Sequence, residues 1–453
     1  MPQEAGSSEP PRTVGLRDLL LLSVGGMIGS AVFFFPAFTG QWIGPAAILG
    51  WLVAGVGMAS IALCYTELAT AFPQSGGPAV YPAQTLGSNR FVRRFFSYLE
   101  GASYALGWTF GVAVSAWYVA NYLGAIPPLT GVRSYTVLFG LLAIGASLSV
   151  TLAGIDVTKR TNLILTTFIL TVLGVVAAVG IANGEPTNAT PFFTGTGTQF
   201  LAAIGIAITG YGAWTVVPAA AGEVKRPEWT IPRAILGSLL LTTLCYTAVV
   251  VALHVTVAPS AFQRGNLVMV APLSAIVVDA GLPLLANYVL PVAALVAIFT
   301  TMLVGMTSSA RVLQALAERG LFPSVFAATS DRTNAPYVAL CGVAIGAAAV
   351  VVGKEVVGGL VLAALVGTVL PYAINIASFV GFRIYRDDVT ATFRAPGGLL
   401  TAAVAFGFLA LLAVGLSVDH PFAATLTVAA LLVGFALQYV FGNGSTTADH
   451  ENA

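Results

Sequence analysis

Along almost its whole length the chain is built from continuous apolar runs, such as Leu236–Val257 and Tyr288–Met306. Each is as long as the roughly 20 residues that a bilayer-crossing helix needs. In lipid every backbone polar group must be satisfied within the protein, so a spanning segment is either a helix or a strand of a closed barrel. Barrel strands alternate apolar and polar residues with period two, and these runs do not alternate. Composition agrees on the solvent. Only 8% of the 453 residues are charged and the mean hydropathy is +0.90, against roughly 25% charged residues in a water-soluble domain. The expected fold class is therefore an all-α polytopic membrane protein.

Twelve transmembrane helices are expected. The first six cover 16–38, 43–71, 95–124, 134–153, 161–183 and 198–221; the last six cover 233–257, 285–315, 335–353, 357–382, 398–417 and 421–441. Basic residues in short loops set the orientation of such a bundle. With these spans, sixteen of the nineteen Lys and Arg residues fall on one side, among them Arg12, Arg17, Arg90, Arg93, Arg94, Lys225, Arg311, Arg319, Arg383 and Arg386. Only Arg133, Arg264 and Lys354 fall on the other. A shifted span would scramble this division. It predicts a multi-pass protein of the cell membrane with both termini cytoplasmic. Residues 1–13 and 442–453 are polar and are expected as disordered tails; 1–13 lacks the pattern of a cleaved leader.

Several function classes drop out. A net charge of +1 offers no basic surface for nucleic acid. Cys64, Cys245 and Cys341 lie in apolar runs, and His254, His420 and His450 are scattered, so neither disulfide nor metal spacing is present. No nucleophile, acid–base or metal constellation suggests an enzyme. No span carries the sustained polar stripe of a channel pore, and no extramembrane signalling domain suggests a receptor.

Two spans are interrupted. The first reads LLLLSVGGMIGSAVFFFPAF, with Gly25, Gly26, Gly29 and Ser30 at its middle; the sixth reads AIGIAITGYGAWTVVPAAAGEV, with Gly210, Gly212 and then Pro218. A mid-helix Gly costs about 1 kcal/mol relative to Ala, and an interior Pro about 3 kcal/mol. Small residues also serve close helix packing. The two interruptions lie five spans apart, however, and that is the offset of an inverted five-helix repeat, in which matching broken helices mark the binding site. The physics suits a zwitterion. A half-helix N-terminus offers free N–H groups and positive dipole to a carboxylate, and the preceding half offers free carbonyls to an ammonium. Candidates for the carboxylate are the N–H groups of Ile28, Gly29, Ser30 and Ala31, in the segment that also holds Met27. Carbonyls near Gly25, Gly26, Ile208 and Thr209 are candidates for the ammonium. No mid-span acid is present to pair with a cationic side chain, which favours a neutral amino acid.

These stretches resemble the amino acid–polyamine–organocation superfamily of permeases. GGMIGSAVFFFPA is similar to the signature of its first helix. YTELATAFPQSGGPAVYP, with Glu67, resembles the end of the second. GYGAWTVVPAAAGEVKRPEWTIPRAI, with Glu223 and Lys225, resembles the sixth helix and its cytoplasmic exit, and SSARVLQALAERGLFPSVFA, with Arg311, the end of the eighth. The resemblance spans about 14–395. It implies a LeuT-like core of ten helices in two inverted repeats (14–395), two further helices (396–441), and transport of amino acids or amines by alternating access. Two departures stand out: Gly29-Ser30-Ala31 replaces Gly-Ser-Gly, and Thr215 stands where many relatives have an acid. The fifth span lacks the lysine of some proton-coupled relatives.

The remaining candidates follow from position. Tyr211 and Trp214 flank the second interruption, and Tyr104 and Trp108 lie one turn apart on span three; all four are candidates for the substrate pocket. Thr307 and Ser308 are candidates for a cation site together with carbonyls of the first break, so Na+ and H+ both stand as coupling ions; back-bonding to the helix is their ordinary use. Glu67, Glu223, Lys225 and Arg311 are read as gating or structural groups, and Glu100 likewise. The expected partners are a small amino acid and the lipid bilayer, with no cofactor beyond the coupling ion.

Overall fold

The computed structural model describes residues 12, 14–29, 31–74, 76–87, 89–262, 267–354 and 365–419, and beyond these 425, 429, 431–436 and 439. Ser30, residues 357–364 of the expected tenth span, most of the twelfth, and the expected tails apart from Arg12 lie outside the described residues.

Among the described residues the regular structure is helical. The first span is two helices, α1 (Leu16–Ile28) and α2 (Ala31–Ile43). A tight turn, Gly44–Ala46, leads to α3 (Ala47–Ala71). The short α4 (Tyr81–Thr85) precedes α5 (Arg90–Leu123), whose start is capped by the Asn89 side chain accepting from Phe91 N–H at 2.8 Å. Then come α6 (Thr136–Leu152) and α7 (Ile155–Asn183). The sixth span is α8 (Gly197–Thr209), a 3₁₀ turn (Gly212–Thr215) and α9 (Val216–Ala219). Thr196 and Gln199 form a capping box at the start of α8. Pro227 occupies the first position of α10 (Pro227–Thr256), where its missing N–H costs nothing. That is why the helix begins six residues before the expected 233. Two short helices, α11 (Leu267–Val270) and α12 (Pro272–Asp279), follow. A π turn (Leu285–Val289) opens α13 (Leu290–Glu318), and α14 (Tyr337–Gly353) follows. A second π turn (Leu365–Val369) leads into α15 (Leu370–Tyr385), and α16 (Leu399–Asp419) closes the series.

Six of these helical stretches are long and apolar enough to cross a membrane, and the bent pair in the sixth span makes a seventh. Two shorter apolar helices, Tyr337–Gly353 and Leu399–Val414, add to them. The protein is thus a polytopic helical membrane protein. Lipid-facing side chains are apolar, for example Leu142, Ile164, Leu240, Leu244 and Ile345, as a hydrocarbon surround requires.

The interrupted segments lie inside. α1 packs on α7, α10 and α13 and touches the 3₁₀ turn of the sixth span; α8 packs on α2 and α3. At one end of the bundle, called here the basic end, backbone bonds join the chain's first described segment to the exit of the sixth span: Val14 N–H to Glu223 O (3.0 Å) and Lys225 N–H to Val14 O (2.9 Å). Arg311 pairs there with Glu223. Arg383 pairs with Glu67 (2.6 Å), which also accepts from Ala395 N–H (2.6 Å). In the turn after α15, Arg386 grips Asp388 at 2.7 and 2.8 Å, and this bond holds the Asp388 carboxyl below its ordinary range.

Candidate functional site

The two interruptions meet. A side-chain carbon added at Gly26 would press on Ala213 Cβ (2.7 Å) in the 3₁₀ turn, and one added at Gly210 would reach Ala31 Cβ (3.0 Å). Only glycine allows the two broken helices to approach this closely. The hydroxyl of Tyr246, on α10, joins them: it reaches the carbonyl of Met27 and, at 3.0 Å, that of Gly210. Each carbonyl lies near a helix end, where intrahelical partners run out. One hydroxyl has one proton and donates to one of them at a time.

Beside this contact lies a cavity. Met27, Ala31, Thr209, Gly212, Tyr104 and Thr301 are among its walls, which include Gly26 and Gly210 themselves. Gly107 and Gly367 form a further wall, with their backbones in direct contact, since a carbon on either would overlap the Cα of the other. The lining contains no Asp, Glu, Lys, Arg or His among the described residues. Its polarity comes from backbone and from hydroxyls. Tyr104 Oη bonds Thr215 Oγ1 (3.1 Å), and Thr215 donates to Gly212 O (2.8 Å). At the first interruption, the first-turn N–H groups of α2, on Ala31, Val32 and Phe33, have no intrahelical acceptor.

Several sequence-predicted residues stand elsewhere. Gly29 N–H closes the last turn of α1 on Gly25 O (3.1 Å), so it is spent within the helix, and Ile28 is the last residue of that helix. Ile208 O accepts from Tyr211 N–H (3.0 Å), which leaves Thr209 as the residue of that pair on the cavity. Tyr211 points away from the cavity: its hydroxyl donates to Trp51 O (3.1 Å), and its ring meets Tyr246 edge-on at 5.1 Å. Trp214 lies behind the wall, stacked on Tyr372 (5.7 Å) and edge-on to Tyr65 (4.9 Å). Both are fully buried, which places them as packing under the site. Trp108 does line the cavity.

Thr307 and Ser308 are two turns from the first interruption. They face Leu19, Leu22 and Val216 toward the basic end, and Thr307 back-bonds to Leu303 O (2.7 Å). The hydroxyl pair that does reach the interruption is the earlier Thr300-Thr301. Thr300 Oγ1 is 3.5 Å from Gly25 O, and Thr301 Oγ1 fills the space where a Gly29 side chain would be. Thr300-Thr301 was not among the residues expected from the sequence, which pointed to Thr307 and Ser308 alone. Lys225 contributes its backbone to the Val14 bridge while its side chain is exposed. Tyr246 and Tyr372 carried no local signal, because their roles depend on which helix faces the break.

The sequence model of the family described as "Amino acid permease" matches residues 14–437. The chain is similar to a branched-chain amino acid permease of Bacillus subtilis (strain 168), at 27% identity over 87% of this chain and 85% of that one. It is similar to a methylthioribose transporter of the same organism at 25% identity, over 87% and 86% of the two chains. It is similar also to a cationic amino acid transporter of Mus musculus at 26% identity, over 85% and 62%. A match across the apolar helices, both interruptions and the basic-end contacts decides the matter: this chain belongs to the amino acid permease family, and it is a transporter, not an enzyme.

Proposed function

We propose that the protein carries a small neutral amino acid across the cell membrane by alternating access, with both termini cytoplasmic and the basic end facing the cytoplasm. One observation carries the reading: two interrupted helices converge on a cavity lined by their backbones and by hydroxyls, with no charged side chain among the described residues. A zwitterion supplies both charges itself. The N–H groups at the start of α2 suit its carboxylate, and carbonyls at the end of α1 and around Thr209 suit its ammonium. Tyr104, Trp108, Gly107 and Gly367 then bound the side chain. The name of the branched-chain permease agrees with an apolar side chain. The twelve-helix plan, with two inverted repeats of five and two further helices, is part of the same reading. It is supported by the five-span separation of the interruptions.

Alternating access needs closures at both ends. The Arg311–Glu223 pair and the Val14–Val224 bridge serve as the cytoplasmic closure. For the coupling ion, Thr307 and Ser308 give no support to a sodium site at the first interruption, because they lie two turns away. The test is uptake of radiolabelled amino acids by proteoliposomes across a panel, with and without sodium, a pH gradient or internal substrate. Saturable uptake or exchange of neutral amino acids is expected. No uptake or exchange of any amino acid or amine would overturn the proposal.

A further inference from the structure

Glu100 lies on α5, four residues before Tyr104, and is fully buried. Asn375 Nδ2 donates to its Oε1 at 3.1 Å. Its Oε2 meets no donor, and the Oδ1 of the same Asn375 meets none either. The groups recorded around it are neutral: Tyr65 from α3, Tyr81 from α4, Tyr104 from its own helix and Asn375 from α15. No ion pair among the described residues includes it. Glu67 shows the contrast, with Arg383 and the Ala395 N–H both supplied to its carboxylate. Glu100 has no such partners, and an unpaired buried carboxylate is strongly disfavoured.

A single proton resolves both orphans. Placed on Oε2, it turns an acceptor into a donor, and the amide beside it already presents an unused acceptor in Oδ1. We propose that Glu100 is the proton-binding site of the transporter and moves one proton with each substrate. This rests on the reading of the chain as an alternating-access amino acid carrier. The proton comes from water on the outer side, binds Oε2, and leaves to cytoplasmic water; no other bond is made or broken. Position supplies the coupling. One turn along α5, Tyr104 holds Thr215 of the interrupted span, and on α15 Tyr372 stacks on Trp214 of the same span. The protonated pair ties α5 to α15 beneath the substrate. Deprotonation requires water in its place, and water enters when the cytoplasmic closure parts.

The experiment uses the full-length protein in proteoliposomes with radiolabelled leucine, alanine and lysine. Wild type is expected to accumulate leucine or alanine against a gradient when the outside is acidic, without sodium. The Glu100→Gln variant, permanently in a proton-bound form, is expected to keep exchange of the same amino acid but to lose accumulation down to the level of protein-free vesicles. Its exchange should also lose the pH dependence of wild type. Accumulation that survives in Glu100→Gln overturns the proposal. So does a loss confined to lysine, which would make Glu100 a counter-charge for a cationic substrate, and so does wild-type accumulation that requires sodium. If the variant does not fold, wild type alone decides. A trapped pH dye should report acidification of the vesicle interior on adding the amino acid, and no such signal overturns the proposal. Wild type that neither accumulates nor exchanges any amino acid overturns the substrate reading instead.

Discussion

Tyr246 is the residue on which both interruptions depend. Its hydroxyl reaches carbonyls of two separate broken helices, Met27 and Gly210. Tyr246→Phe leaves the ring contacts with Trp51 (4.9 Å) and Tyr211 (5.1 Å) in place and removes only the oxygen. A buried carbonyl left without a donor costs about 1–3 kcal/mol. The expected outcome is a roughly tenfold or larger loss of substrate affinity, measured by scintillation proximity binding, with little change in detergent-extracted yield. Gly29 makes a second prediction. A methyl there overlaps Thr301 Oγ1, and overpacking of this kind costs about 1–3 kcal/mol. Gly29→Ala should lower the thermal transition of the purified protein, and Thr301→Ala added to it should recover part of the loss. A Gly29→Ala variant as stable as wild type would refute the contact. The glycines were legible in the sequence as breaks, because their cost in a helix is local. The hydroxyls that answer them were not, because Thr301 and Tyr246 lie far along the chain and only packing brings them there.

The sixth span shows how an element is both legible and misread. Its interruption over Gly210–Thr215 is where the glycines place it, and its two halves bend by 42°. The side chains beside the glycines were expected on the cavity, yet Tyr211 and Trp214 turn away from it. In a 3₁₀ turn the residues advance at three per turn rather than 3.6, so neighbouring side chains take faces that an α-helical reading does not give. The short helices α11 and α12 fall between the expected spans 233–257 and 285–315, since segments of four and eight residues leave no long apolar run. At the exit of the sixth span, the Glu223–Arg311 pair gives a prediction of its own. With native cysteines replaced, a Ser308→Cys reporter should react slowly with a maleimide, since Ser308 is 3% exposed. Adding Arg311→Gln should speed the reaction. An unchanged rate would mean that this ion pair does not hold the end closed.

The molecule as a whole was legible where physics acts on averages. Apolar run length declared the solvent, and the unequal sharing of basic residues between alternate loops declared an orientation. That orientation is tested with single cysteines at two exposed positions, Ser134 before α6 and Asp331 before α14. In intact cells an impermeant maleimide should label Ser134→Cys, and Asp331→Cys only after permeabilisation. The reverse result would invert the transporter in the membrane. What averages cannot reach is the site, which depends on single contacts between distant helices. The meeting of Gly107 and Gly367 is one of these. Two backbones in contact leave no rotamer to adjust, so the distance between α5 and the π turn is fixed there like a stop on a gauge. Any larger residue at either position must move a helix rather than a side chain. One methyl gained in that pair therefore resets the gauge for more than one wall at once, because α5 carries Tyr104 and Trp108 along with Gly107.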